Sequence, residues 1–210
     1  MRIRASLAIA LIAFAAALPV RAQQLLDDLV VAVTNDQAAE VRRLLARGVD
    51  PDSVDRNGDP MLVLAARNGS AAAVDALLAG RARPDLANAH GDTAILVAAL
   101  KGNLALVRRL HAAGATLDGT GWTPLIYAAT GGHEPLVRYL LDQGARVDAA
   151  SPNGTTALMM AVREHRVDIA DLLLARGADP TRRNDAGWSA LQYAEQGNET
   201  DLAARMRRKR

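Results

Sequence analysis

The chain has 210 residues, with 25 lysine and arginine residues against 23 aspartate and glutamate residues and a formal net charge of +2. It contains no cysteine, which excludes disulfides, thiol catalysis and cysteine-ligated zinc. Aromatic residues are few, at two tryptophans, three tyrosines and one phenylalanine.

The first 22 residues differ in composition from the rest of the chain and have the pattern of a secretory signal. Two arginines precede an apolar core at residues 5–18, and Val20 and Ala22 stand at positions −3 and −1 of a cleavage site. We therefore predict cleavage between Ala22 and Gln23 and a periplasmic or secreted location. The alternative is a retained membrane anchor, although the apolar core is shorter than the about 20 residues that a spanning helix needs.

Removal of this signal changes the charge balance, because three arginines leave with it. The mature chain then has 22 basic residues against 23 acidic ones, and five of the basic residues belong to the terminal sequence RMRRKR. The body of the chain is therefore acidic, which argues against a generally basic nucleic-acid-binding surface. The basic tail, residues 207–210, either contacts an anionic membrane surface or an acidic partner, or is solvated and disordered.

Residues 25–50 contain a helix pair with no turn motif before it, as is typical of a terminal capping unit. Short motifs follow at intervals of 33, 30, 33 and 33 residues, with their glycines at Gly58, Gly91, Gly121, Gly154 and Gly187. In the motif GWTPLIYAATGGH, Thr123 and Pro124 indicate the first turn of a helix, and the Gly131-Gly132 pair indicates its end. A helix this short needs neighbours to be stable in water.

The period near 33 residues, the Thr-Pro-Leu helix start and endings such as LLARGADP (173–180) resemble the ankyrin repeat. The resemblance covers roughly residues 27–206. It implies an all-α solenoid of stacked helix-turn-helix units with short β-hairpin fingers. We assign residues 23–206 to this domain, as about five repeats after an N-terminal capping half-repeat.

Three departures from the repeat pattern have structural consequences. The 30-residue interval lacks three residues within 115–121, which predicts a short finger before Trp122. Arg81 and His165 stand where the other repeats have glycine at a helix end. We expect a left-handed backbone at both positions, at a cost of about 1 kcal/mol each.

The sequence offers no candidate catalytic residues, metal ligands or cofactor site. Its four histidines fall in different repeats, and no P-loop, nucleophile elbow or HExxH motif is present. The alternatives left open are an enzyme or small-ligand-binding protein with a site built across repeats, and an envelope-associated structural protein.

The resemblance implies that a partner protein binds the concave side, which finger tips and the ends of the first helices form. The positions that match this side, and that we predict to bind the partner, are Arg56, Asp59, Arg67, His90, Asp92, Lys101, Trp122, Thr155, Arg163, Glu164, Asp185 and Trp188. The same register also places on this side Asn57, Asn68, Ala89, Leu100, Thr120, Thr130, Pro152, Asn153, Ala186 and Gln196. The two tryptophans occupy one finger position and are candidate anchors, because tryptophan is enriched among interface hot spots. The alternative is that each tryptophan packs across its own finger.

We therefore predict a non-enzymatic protein-protein interaction module in the periplasm, acting as an adaptor, a stabiliser or an immunity-type inhibitor. We expect a monomer that binds no nucleic acid and is not stably inserted in a membrane after signal cleavage.

Overall fold

The computed structural model describes residues 23–119 and 121–208. The predicted signal at 1–22, Thr120 and the last two residues of the basic tail lie outside the described residues. In the described part, six helix pairs follow one another. The first helices of the pairs are α1 (23–34), α3 (Met61–Asn68), α5 (Ala94–Leu100), α7 (Pro124–Gly131), α9 (Ala157–Arg163) and α11 (Ala190–Gln196). The second helices are α2 (Ala38–Ala46), α4 (Ala71–Ala79), α6 (Leu104–Ala112), α8 (Glu134–Asp142), α10 (Val167–Ala175) and α12 (Thr200–Arg207).

The helices form two layers that share one elongated core. In the first layer, α3, α5, α7, α9 and α11 each pack against the next. In the second layer, α2 packs on α4, and α8, α10 and α12 pack in turn. Each pair therefore contacts mainly its neighbours, and the all-α solenoid that the repeat pattern predicts is the observed fold.

Helix α7 begins as the sequence predicts. The Thr123 hydroxyl accepts a hydrogen bond from the backbone N–H of Ile126 at 3.2 Å, and Pro124 is the first residue of α7. Ser189 caps α11 in the same way, and its backbone N–H donates to the Gln192 side chain to complete a capping box. Most of the side chains between these caps and the helix ends are buried, so packing stabilises helices that are too short to form alone.

Four fingers are closed by the same five-residue turn. The first residue of the turn donates its backbone N–H to the carbonyl of the fifth, as Asn88 does to Asp92 at 3.0 Å. The side chain of the first residue also accepts from the backbone N–H of the fifth, at 2.9 Å in the Asn88 turn. The four turns begin at Asp55, Asn88, Ser151 and Asn184. Bridges between β-type residues in the described part are limited to Val54 with Pro60 and Ala150 with Thr156.

Aspartate side chains join successive loops and locate the missing three residues. Each accepts a hydrogen bond from a backbone N–H of the following loop: Asp52 from Arg83, Asp85 from Thr116, Asp118 from Arg146 and Asp148 from Asp179. Asp118 is structurally equivalent to Asp85 and Asp148, because each accepts a hydrogen bond from a backbone N–H of the following loop. The three residues are therefore missing between Asp118 and Trp122. The third finger is therefore short because it lacks the turn residues themselves.

The predicted left-handed positions are confirmed, with φ of 68° at Arg81 and 55° at His165. Asp36 and Asn198, at 54° and 58°, adopt the same conformation at the corresponding turns of the two terminal repeats. Three helix pairs, those containing Asp36, His165 and Asn198, therefore turn without glycine between their two helices, whereas Arg81 replaces glycine after the second helix α4.

The C-terminal pair is a complete repeat within the described residues. Leu202, Ala203 and Met206 of α12 are buried. Arg205 pairs with Asp171 at 2.9 Å, and Arg207, the first residue assigned to the basic tail, pairs with Glu195 at 2.6 Å.

No described helix combines the length and apolar character that crossing a membrane requires.

Candidate functional site

We call the side of the molecule that carries the fingers and the C-terminal ends of the first helices the finger face. Arg67, at the end of α3, donates to Asp59 of its own finger with Nε to Oδ2 at 3.0 Å and Nη2 to Oδ1 at 3.3 Å. Its Nη2 also lies 3.9 Å from a carboxylate oxygen of Asp92 in the next finger. The side chains predicted on helix ends and on fingers therefore meet in space.

A polar cluster fixes the first two fingers relative to each other. The Asn88 side-chain amide donates to Asp59 at 2.7 Å and to Asp92 at 3.3 Å. The Asp59 carboxylate, only 9% exposed, is thus held by two donors, whereas Asp92 retains 31% exposure. Asn88 is not among the predicted site residues, although asparagine at the start of a tight turn is a recognisable signal. Asp59 therefore has a structural role in joining the two fingers, whereas Arg67 and Asp92 remain partly exposed to solvent.

Both predicted tryptophans pack on a tyrosine five residues later. The ring centroids of Trp122 and Tyr127 are 5.5 Å apart with an interplanar angle of 32°. Those of Trp188 and Tyr193 are 5.2 Å apart at 22°. Each tryptophan therefore packs across its finger onto a first helix and is half-buried. The packing orients a partly exposed indole, so a structural role and a role as anchor are compatible.

The remaining predicted residues divide by exposure. Thr155 is buried at the base of the fourth finger. Arg56 pairs with Asp27 of α1 at 3.2 Å, and Arg163 pairs with its neighbour Glu164 at 3.0 Å. Exposed side chains complete the set at His90, Lys101 and Asp185.

A cleft of about 370 Å³ opens on the finger face beside the short third finger. The second finger forms one wall with His90 and Asp92, and Pro152 of the fourth finger closes the opposite end. Trp122 and Tyr127 also line it. Burial raises the pKa of the Tyr127 hydroxyl above its ordinary value, and the negative charge of Asp92 raises it further.

Three histidines make contacts between neighbouring repeats. His133 Nε2 lies 3.1 Å from the Leu100 carbonyl oxygen, and His111 Nδ1 lies 3.0 Å from the Tyr139 hydroxyl. His165 Nδ1 lies 2.7 Å from Glu199. These contacts are at separate places, and within residues 23–119 and 121–208 no group of three or more histidine, aspartate or glutamate residues is arranged to hold a metal ion.

Comparison with known proteins identifies the repeat. A family model described as "Ankyrin repeats (3 copies)" matches residues 29–120 and 95–184. The chain is 42% identical over 89 residues to "Ankyrin repeat, SAM and basic leucine zipper domain-containing protein 1" of Ornithorhynchus anatinus, over 40% of this chain and 19% of that protein. It is 48% identical over 86 residues to "Ankyrin repeat and SAM domain-containing protein 6" of Mus musculus, over 40% of this chain and 10% of that protein.

A third relative, "Ankyrin repeat and KH domain-containing protein mask-1" of Caenorhabditis elegans, is 37% identical over 81 residues, over 38% of this chain and 3% of that protein. These relatives are eukaryotic, and the chain spans a fifth or less of the length of each. Ankyrin repeats are generally protein-protein interaction modules, and the family is typically non-enzymatic. The chain belongs to the ankyrin-repeat family.

Proposed function

We propose that this chain is an exported protein-binding module that holds its partner on the finger face. The observation that supports this function best is that the exposed groups of this face are fixed by contacts within the chain. Arg67 is held on Asp59, Trp122 on Tyr127 and Trp188 on Tyr193. A surface fixed before binding loses little conformational entropy when a partner docks.

The chemistry of the finger face also suits a protein partner. Exposed cations at Lys101 and Arg163 alternate with carboxylates at Asp92 and Asp185, and two indoles lie among them. Aromatic and arginine side chains are enriched in protein interfaces, and surrounding charges select the partner and its orientation.

Export is part of the proposal and is supported by the sequence of residues 1–22. We propose cleavage before Gln23 and action in the periplasm on another exported protein. The experiment is to express the full chain in its own host, fractionate the cells and measure the intact mass of the product. A product that begins at Gln23 in the periplasmic fraction supports export, whereas an uncleaved chain in the membrane or the cytoplasm contradicts it.

Binding on the finger face is tested by charge reversal with a matched control. Lys101→Glu with Arg163→Glu changes the finger face, and Arg42→Glu with Arg47→Glu makes the same charge change at exposed positions on and beside α2. We expect the wild type and the control to retain the same partner from a periplasmic extract and the finger-face variant to lose it. Equal retention by both variants, at equal helicity, contradicts the assignment of the surface.

The role of the module follows from the partner's behaviour in the complex. If it is an immunity-type inhibitor, the purified partner loses activity when the module is added. If it is an adaptor or a stabiliser, the partner keeps its activity and gains thermal stability or a further binding partner.

A further inference from the structure

The cleft beside the third finger exists because three turn residues are missing there. In the neighbouring repeats, residues 88–90 and 151–153 lie at this level and form the finger turn. Between Asp118 and Trp122 the chain has no such residues, and the space beside the shortened loop is the cleft of about 370 Å³. Its size falls within the range of sites that hold small ligands or single side chains.

The cleft exposes apolar surface that the other repeats bury. Val63, Ile126 and Met159 occupy equivalent positions in their first helices and are at most 1% exposed. Leu96, at the same position of α5, is only half-buried and lines the cleft. With Trp122 and Tyr127, it forms a floor that suits the hydrocarbon part and the flat face of a ligand.

The charge at the cleft is negative. Asp92 is its acidic lining residue, and the described lining residues include no lysine or arginine. Arg67, which pairs with Asp92, makes its closer contacts with Asp59 and reaches Asp92 only at 3.9 Å. The single positive charge of Arg67 is thus shared by Asp59 and Asp92. These three residues together carry an excess negative charge beside the two aromatic rings.

We propose that this cleft is a specificity pocket for an arginine side chain of the partner protein, an inference that rests on the proposed function. A planar guanidinium stacks on the exposed aromatic surface of Trp122 and Tyr127 while its N–H groups donate to Asp92. Such a charge-assisted hydrogen bond is stronger than a neutral one. The arginine stem covers Leu96 and removes its apolar surface from water.

Other occupants fit the cleft less well. A purely apolar side chain would take water from the Asp92 carboxylate without replacing its hydrogen bonds. An anionic group would meet the charge of Asp92 without a free cation in the lining. Lysine carries the required charge but lacks the flat, forked guanidinium that can stack and donate at once.

The test uses the full mature chain and small probes, so it needs no partner. N-acetyl-arginine methylamide is titrated against the 15N-labelled protein, and the indole N–H signals of Trp122 and Trp188 are followed by NMR. Trp188 is the internal control, because it packs on its tyrosine beside a finger of full length. The comparison probes are the citrulline analogue, which is nearly isosteric but neutral, and the lysine analogue.

We expect the arginine probe to shift the Trp122 signal saturably and to leave the Trp188 signal unchanged. The citrulline and lysine probes should bind at least about tenfold more weakly. Asp92→Asn should weaken arginine binding at least about tenfold, since it removes the charge and nearly preserves the shape. An equal response to arginine and citrulline, or an unchanged affinity in Asp92→Asn, overturns the pocket, and an equal response to lysine overturns its assignment to arginine.

A second variant tests the origin of the cleft and does not depend on Asp92. Insertion of Asn-Ala-His immediately before Gly121 restores the 33-residue interval with the turn residues of the second finger. We expect this variant to keep its helicity and to lose the arginine response, whereas full binding would overturn the proposal. Failure of the small-probe titration overturns the arginine pocket alone, and the finger-face capture experiment judges the proposed function independently.

Discussion

The Trp122 ring packs on the ring of Tyr127, and the Trp188 ring repeats the relationship on Tyr193 two repeats later, with centroid separations of 5.5 and 5.2 Å. Each pair links a finger to the first helix that follows it. The indole is therefore held in one orientation while part of it faces solvent. The same ring packing therefore stabilises the repeats and fixes the orientation of the indoles on the finger face before a partner binds.

We expect this link to be measurable as a coupling energy. A double-mutant cycle on Trp188→Ala and Tyr193→Ala should give about 0.5–1.5 kcal/mol in the free energy of unfolding, the range for paired aromatic rings. Urea unfolding followed by far-UV circular dichroism gives the four values. The control cycle combines Trp122→Ala with Tyr193→Ala, whose effects should add, and additivity within error in the Trp188 cycle would show that the stacked rings contribute nothing beyond separate burial.

For a second pair of variants, backbone conformation alone should determine the change in the free energy of unfolding. Arg81 adopts φ of 68°, a conformation that glycine tolerates better, so Arg81→Gly should raise the free energy of unfolding by about 1 kcal/mol. Gly114 has φ of 96°, and an added Cβ would meet no atom within 4 Å. Gly114→Ala should therefore lower the free energy of unfolding by a similar amount without any clash. If Arg81→Gly is destabilising, the left-handed position is not strained as we describe.

The His133 ring should make Gly102 less tolerant than Gly114. A Cβ at Gly102 would meet the His133 ring, which also reaches the Leu100 carbonyl of the preceding repeat. We expect Gly102→Ala to cost at least about 1 kcal/mol more than Gly114→Ala in thermal or urea unfolding.

The same substitution in a His133→Ala background isolates the contact. There Gly102→Ala should cost no more than Gly114→Ala does in the wild type, because only the backbone strain remains. A difference that persists without the imidazole ring would assign the effect to some other feature of this turn.

Buried and exposed ion pairs should differ in their contribution to stability. Asp59 is 9% exposed and accepts from both Arg67 and Asn88, so Asp59→Asn should cost about 1–3 kcal/mol, because the amide keeps one acceptor oxygen, loses the charge and turns its NH2 group toward a buried donor. Asp171 is 44% exposed and pairs with Arg205 between α10 and α12, so Asp171→Asn should cost less than about 1 kcal/mol. Urea unfolding midpoints measured in low salt test whether Asp59→Asn destabilises the chain more than Asp171→Asn does. Equal losses of stability in the two variants would contradict this prediction.

Tyr127 should titrate above the ordinary tyrosine range. Its pKa is raised from 10.0, first by burial and second by the charge of Asp92. Because the folded chain holds this proton more tightly than the unfolded chain, the associated stability is fully present below pH 10 and is lost as pH rises through the folded-state pKa.

Spectrophotometric titration of the phenol absorbance measures this effect. Tyr127→Phe should remove the component that titrates latest, and Asp92→Asn should lower the pKa of Tyr127 only in part, since burial is the larger cause. If the latest component survives in Tyr127→Phe, the raised pKa belongs to another tyrosine.

The repeat organisation can be predicted because its signals lie in adjacent residues or recur at the repeat spacing. Thr123 and Pro124 identify a helix start from adjacent residues, and the register of the repeats places Arg81 and His165 at positions where other repeats have glycine, which predicts their left-handed backbone. The helix start is a property of neighbouring residues, and the left-handed positions follow from comparing residues one repeat length apart.

Contacts between repeats cannot be predicted in the same way. Asp52 binds the backbone N–H of Arg83, 31 residues later, yet an aspartate in a loop has the same appearance in the sequence when it only faces water. Asp59 is a similar case, because its burial depends on Asn88 of the next finger. The run of basic residues places Arg207 in a tail, whereas its pairing with Glu195 depends on α12 folding back along α11. Such partners are determined by stacking and not by neighbouring residues.

The most direct measurement of the central claim is affinity capture from a periplasmic extract with three proteins of equal helicity: the wild type, Trp122→Ala/Trp188→Ala and Tyr139→Ala. Tyr139 is the control, because it is a half-buried aromatic residue of the second-helix layer that contacts His111. We predict that the wild type and Tyr139→Ala retain one and the same partner and that the double tryptophan variant loses it. Retention of that partner by the double tryptophan variant would contradict binding through the tryptophans of the finger face.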